Sequence, residues 1–316
     1  MGQITVAAVQ ATSENGAVER NLRNAALLVR EAARRGARVV LCPEFLAAGY
    51  IYRESIWESG EPQGGATESW LAGLAAEHAI YIGATYLEAD QDQFYNTFAL
   101  FGPGGELLGR VRKGSLPGFE GWYFTSSAEP KVIETDLGRI GVGICNDNQT
   151  AEFFRHMVDT APDLILMPHS APTPRIPLLA GQFRRQFGSI AGFYAKELGI
   201  PVVFANKVSA RLDWTPVPVI PFVQIPFRCE GRSSIHLAGG RVVAEQGPVE
   251  SVVVGDVSLD PSRKRTPDLR PTSYWANRPI LSETLSGLTF ELLTDQAHRA
   301  YAANPRRAAA ARALTS

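Results

Sequence analysis

Four residues could work together as a covalent catalyst: Cys145, Glu44, Lys113 and Glu120. Cys145 stands in Gly-Arg-Ile-Gly-Val-Gly-Ile-Cys-Asn-Asp, residues 138–147, where an apolar β-prone run meets a polar, helix-starting stretch. A strand that delivers a cysteine to the mouth of a helix places its sulfur where the helix dipole favours thiolate. Leu-Cys-Pro-Glu (41–44) ends a second strand-like run in a carboxylate. Arg-Lys-Gly-Ser-Leu-Pro-Gly-Phe-Glu (112–120) carries an ammonium and a second carboxylate. A thiol, a base and a cation at element boundaries suggest nucleophilic attack on a carbonyl-like carbon, with the cation stabilising the oxyanion. His169, in Met-Pro-His-Ser-Ala-Pro, offers a rival Cys–His pairing or a place in the substrate pocket.

The elements that must position these groups alternate. Ile4–Val9 reads as a first strand. Helical spacing over 17–35 (Val18, Leu22, Ala25, Val29, Ala32) stops at Gly36. Strand-like runs follow at Arg38–Cys42, Ile80–Leu87, Phe94–Phe101, Leu107–Val111, Val132–Thr135, Ile140–Cys145, Asp163–Met167 and Pro201–Ala205. Helical runs lie at Glu68–His78, 150–160 and Leu178–Leu198, and the last strands fall near Ser233–Leu237, Arg241–Glu245 and Val252–Val257. The pattern is α/β, sheets covered by helices. Residues 1 to about 260 read as one domain and 261–316 as a C-terminal extension whose last residues, 305–316, read as a frayed helix or a disordered tail. Trp214–Phe227, with four prolines, reads as an apolar extended loop near the pocket mouth or a subunit contact.

Composition narrows the classes. The 316 residues are 45% hydrophobic and 20% charged with net charge −1, which gives no electrostatic reason for a nucleic-acid or membrane partner. No apolar run is long enough to span a bilayer and the first residues lack a signal-peptide pattern, so a cytoplasmic location is expected. Three scattered cysteines (Cys42, Cys145, Cys229) form neither a disulfide framework nor a metal site. The other histidines lack ligand spacing, so no metal and no cofactor is expected.

Taken in order, these motifs resemble those of the nitrilase superfamily of carbon–nitrogen hydrolases over roughly residues 3–260. Cys42-Pro43-Glu44-Phe45 is similar to its first glutamate motif. Arg112-Lys113 with Leu116-Pro117 and Glu120 is similar to its lysine motif, and Gly143-Ile144-Cys145 with Asp147 and Glu152 to its nucleophile motif. The resemblance implies a four-layer α-β-β-α sandwich that forms homodimers, with the helices after Cys145 and around Leu178–Leu198 as the expected interface and the extension 261–316 as part of the dimer contact. It implies Glu44 as general base, Cys145 as nucleophile forming a thioester, and Lys113 with the N–H of residue 146 at the oxyanion. Glu120 would orient Lys113, and Asp147 and Glu152 would be supports. Losing one oxyanion donor costs roughly 3–4 kcal/mol of transition-state stabilisation. Tyr50, Trp122, Asn146 and His169 are the expected substrate-binding residues, and Arg175, Arg184 or Arg185 could clamp a substrate carboxylate. Three departures stand out: Asn146 stands where relatives often have an aromatic, Gln149 where they often have arginine, and Ala151 where they often have proline; Asp147 resembles the amidase and carbamoylase branches rather than true nitrilases. The expected substrate is a small amide or carbamoyl compound; a nitrile, a non-catalytic role and acyl transfer to another acceptor are the alternatives.

Overall fold

A computed structural model describes residues 2–210, 214–220, 223–268, 271, 274–277 and 283–315. Strand β1 (Gln3–Gln10) leads into helix α1 (Val18–Arg34), β2 (Val39–Leu41), α2 (Ala66–His78) and the meander β3 (Tyr81–Asp90), β4 (Gln93–Phe101) and β5 (Leu107–Arg112). The chain continues through β6 (Val132–Thr135), β7 (Gly138–Val142), α3 (Ala151–Thr160), β8 (Leu164–His169), β9 (Pro172–Pro174), α4 (Pro177–Leu198) and β10 (Val202–Asn206). It closes with β11 (Thr215–Ile220), β12 (Val223–Cys229), β13 (Ser234–His236), β14 (Val242–Glu245), β15 (Ser251–Ser258), α5 (Glu283–Ala302) and α6 (Pro305–Thr315).

Among the described residues two six-stranded sheets form, ordered β15-β1-β2-β3-β4-β5 and β14-β13-β10-β8-β7-β6, with a small sheet β11-β12-β9 beside them. Both large sheets are mixed: β1–β2–β3 and β7–β8–β10 run parallel, and the flanking strands are antiparallel. Strand alternation explains the layering. Val6, Ala8, Val39, Leu41, Ile140, Val142, Leu164 and Leu166 face the core between the sheets. Ala7, Val9, Val40 and Ile82 face outward beneath α1 and α2, while Ile165, Met167 and Val202 lie beneath α3 and α4. Each fully buried Val, Leu or Ile here contributes about 1.5–3 kcal/mol relative to exposure. The expected α-β-β-α sandwich is therefore observed.

Two expectations need correction. The proline-rich run forms the hairpin β11–β12, except for 221–222, which lie outside the described residues. β11 is an edge strand, where the missing proline N–H removes no ladder bond. Residues 305–315, expected to fray, form α6. Arg307 and Ala311 are buried, and Ala311 joins an aromatic cluster with Phe45, Tyr50, Trp57, Phe94 and Tyr301. The alanines read as frayed in isolation give that helix a close-packing face.

Candidate active site

The four chemistry-bearing residues meet at one end of the two sheets, and packing explains how. Glu44 follows β2, which is buried on both faces. Phe45 then adopts φ +47°, turning the chain sharply; its N–H donates to Thr85 Oγ1 at 2.7 Å. Asn21 on α1 donates to the Ala47 carbonyl at 2.7 Å and ties this turn to the outer layer. Cys145 follows β7 at the start of a 3-10 turn, Cys145–Gln149, with φ +48°. A non-glycine residue held at positive φ stores of order 1–3 kcal/mol, and such strain clusters at functional sites. Gly143 makes this turn possible: a Cβ there would lie 2.0 Å from Asn148 Oδ1.

Lys113 lies just past β5 and is fully buried. Its Nζ donates to Glu44 Oε1 at 2.9 Å and to Glu120 Oε1 and Oε2 at 2.9 and 2.8 Å. Glu44 also accepts from Asn96 Nδ2 at 2.7 Å and from the Ser170 backbone N–H at 3.0 Å. Tyr50 O–H donates to Glu120 Oε1. Burial alone pulls the lysine's pKa down, but Glu120 and Glu44 outweigh it and hold the ammonium well above its ordinary range. Burial drives Glu120 up to about 7, against the pull of Lys113 and Tyr50. Lys113 is thus a fixed cation rather than a proton donor, while Glu120 can exchange a proton near neutrality.

The thiol is not a preformed thiolate. Burial and the Glu44 carboxylate raise the Cys145 pKa well above its usual value, and Lys113 only partly opposes them. A five-residue 3-10 turn also supplies less dipole than the α-helix expected from sequence. A nucleophilic role would therefore require ionisation to accompany attack, with a base at hand to take the proton.

The remaining expected residues divide. Asn146 sits on the nucleophile turn, its Nδ2 3.0 Å from Ser115 Oγ. Asp147 is a support: its carboxylate accepts from the N–H groups of Gly114, Ser115 and Ile144 at 3.0, 2.6 and 3.1 Å, welding the lysine loop to the nucleophile turn. Glu152, the other expected support, is exposed in the first turn of α3. Tyr50 spends its hydroxyl on Glu120, and Trp122 is half-buried two residues beyond it. His169 is wholly enclosed behind the turn, hydrogen-bonded to Asn148 at 2.9 Å and packed on Phe204 at 4.5 Å. Burial holds it well below its ordinary pKa, so it is a neutral buried ring rather than the base of a Cys–His pair. Arg184 forms a fork with Glu230 at 2.5 and 2.8 Å, and Arg175 lies over the Trp214 ring at 5.4 Å, which leaves neither as an evident carboxylate clamp. Arg185 is exposed on α4.

Sequence reasoning missed Asn96 and Ser170. Asn96 had a signal: a polar residue inside the apolar run Phe94–Phe101, fully buried in the structure. Ser170 holds the carboxylate through its backbone N–H, which no side-chain pattern announces, while its hydroxyl donates to the Glu44 carbonyl at 2.7 Å. Among the described residues no cluster of side chains suits a metal ion, and no helix is long and apolar enough to cross a membrane.

The sequence pattern described as Carbon-nitrogen hydrolase matches residues 5–264. An omega-amidase NIT2 from Mus musculus is 32% identical over 255 residues, 76% of this chain and 83% of that protein. A protein named nitrilase from Pyrococcus abyssi is 31% identical over 183 residues, 55% of this chain and 68% of the relative. Among solved structures, a carbon-nitrogen hydrolase from Helicobacter pylori superimposes with TM-score 0.72 at 20% identity over 81% of this chain and 90% of its own. An amidase from Nesterenkonia sp. gives 0.69 at 21% over 84% and 94%. At such identities these likenesses speak for the fold.

Proposed function

The chain belongs to the carbon–nitrogen hydrolase family and is a hydrolase of carbon–nitrogen bonds; from this we propose that it releases ammonia from a small amide or N-carbamoyl compound through a thioester on Cys145. The observation that carries this reading is the buried Glu44–Lys113–Glu120 cluster beside the thiol. Glu44 takes the thiol proton as sulfur attacks the carbonyl carbon. The tetrahedral oxyanion is met by the Lys113 ammonium and the Asn146 N–H. Collapse returns the proton to the departing nitrogen and leaves the thioester. Glu44 then activates water, whose attack releases the acid and restores the thiol. Because Lys113 stays charged throughout, it stabilises charge and passes no proton; Glu120, poised near 7, is suited to assist at the leaving nitrogen.

Amide-like substrates are favoured over nitriles by Asp147 in the nucleophile motif and by the relatives named omega-amidase. The Pyrococcus relative named nitrilase keeps nitriles as the second reading. Ammonia release from amides, N-carbamoyl amino acids and matching nitriles separates the two; turnover confined to nitriles would overturn the first. We also propose a homodimer through the α3–α4 face, where Leu178 is 78% exposed, which sedimentation would test. A reducing cytoplasm suits three free thiols.

The pH profile follows from Glu120. Its ionised form anchors Lys113, so kcat/KM should fall as pH drops through about 7, an apparent value belonging to the coupled group. Tyr50→Phe removes a donor that favours the charged carboxylate, so this acid limb should move to higher pH. A limb that stays in place, or moves down, would remove Glu120 from the titration.

A further inference from the structure

We infer that Tyr274, in the C-terminal extension, is a positioning residue that sets the spacing of the two oxyanion donors. This rests on the reading of the site given above. The donors belong to different segments: Lys113 to the loop after β5, and the Asn146 N–H to the nucleophile turn. Each donor is useful only while its distance from the other is fixed, because the oxyanion must meet both at once.

Two devices bridge the segments. One is the Asp147 carboxylate already described. The other is a three-membered hydrogen-bonded cluster. Tyr274 Oη lies 3.0 Å from Asn146 Nδ2 and 2.7 Å from Ser115 Oγ, and Ser115 Oγ lies 3.0 Å from Asn146 Nδ2. Asn146 carries the donor N–H in its own backbone, and Ser115 stands two residues past Lys113. The phenol therefore closes a triangle across the two donor-bearing segments.

The backbone around Tyr274 is itself laid against the nucleophile turn. The Ala151 N–H donates to the Tyr274 carbonyl at 2.8 Å, and the Ala276 N–H donates to the Gln149 carbonyl at 2.8 Å. Thr150 and Trp275 form an antiparallel bridge between these bonds. A strap of extended chain thus grips the end of the 3-10 turn, and its tyrosine reaches back to the turn's second residue. The strap lies beyond residue 264, where the family match ends. Asn146 takes part because it is an amide: an apolar aromatic at this position would have no hydrogen to give the phenol.

Tyr274→Phe keeps the ring and removes the bridging hydroxyl. We expect kcat to fall by about tenfold, the scale of one hydrogen bond, with KM within about twofold. Ser115→Ala should behave alike, and the double variant should lose far less than the product of the two. Amide hydrogen exchange over residues 143–149 should quicken in each variant, a readout that needs no substrate. Unchanged kcat in the folded variants overturns the inference. So does a raised KM with unaltered exchange, which would make Tyr274 a substrate contact. If Tyr274→Phe does not fold, Ser115→Ala carries the same test. If the wild type releases no ammonia from any amide, the functional reading fails, and exchange alone decides: faster supports the strap, unchanged overturns it.

Discussion

Cys145→Ala is expected to lower ammonia release by about 10⁴-fold or more while leaving the fold intact. The loss is large because no neighbour can replace the sulfur. His169 is neutral, enclosed and bonded to Asn148. Cys42 is fully buried on the far side of β2 beneath α1 and α2, with its thiol held neutral by burial. Structurally the change is mild, since it deletes one atom at a site that is 8% exposed, at a cost of order 1 kcal/mol. Turnover within tenfold of wild type, in a variant with an unaltered melting curve, would contradict the assignment of the nucleophile.

Lys113→Ala is expected to damage both activity and stability, with a pH signature. Removal of the proposed oxyanion donor should cut kcat/KM by about 10²–10³-fold. The same change leaves Glu44 and Glu120 facing each other, buried and without their cation. Breaking a buried pair from one side costs about 3–5 kcal/mol. The carboxylates can escape part of this by holding a proton, so the folded-state pKa of Glu120 must rise above the value near 7 it has with the lysine present. A carboxylate raised on folding is harmless below its unfolded pKa. Its penalty grows as pH climbs toward the folded pKa and is complete above it. The melting temperature of Lys113→Ala should therefore fall further below wild type at pH 8 than at pH 5.5. An equal deficit at both pH values would mean that the two carboxylates are not sharing a dry space. A well-folded variant with near-normal turnover would remove Lys113 from the chemistry.

Much of this was legible because the site is built from local motifs at strand ends. Glu44, Lys113 and Cys145 each follow a short apolar run, and a strand end is where a chain can leave the sheet and present a side chain. The layers were legible for a related reason: the short apolar runs of β1 and β8, each bounded by turn residues, leave few other packings. What escaped depends on non-local geometry. The hydroxyl of Tyr50 reaches Glu120 across 70 residues, and Tyr274 reaches Asn146 across 128. Neither partner is implied by its neighbours in sequence. The electrostatic error has a similar origin. The run after Cys145 looked like a helix start that would favour thiolate, yet the pKa depends on how dry the site is and how near Glu44 lies, which only the packed structure fixes. The α6 helix was misjudged because its alanines carry no strong signal alone; their partners, Trp57 and Phe94, lie more than 200 residues away.

The central claim is that hydrolysis passes through a thioester on Cys145, and intact-mass spectrometry of the acid-quenched enzyme tests it most directly. Replacing Glu44 would block thioester formation as well as its hydrolysis, because the thiol is not ionised in advance, so the wild type is the enzyme to quench. Stopped in acid during turnover of a saturating amide, it should carry the mass of one acyl group. Peptide mapping should place it on Cys145, and hydroxylamine should remove it as the hydroxamate. Cys145→Ala, treated in the same way, should gain nothing. An adduct on Cys42 or Cys229, or an adduct that survives loss of Cys145, would contradict the account.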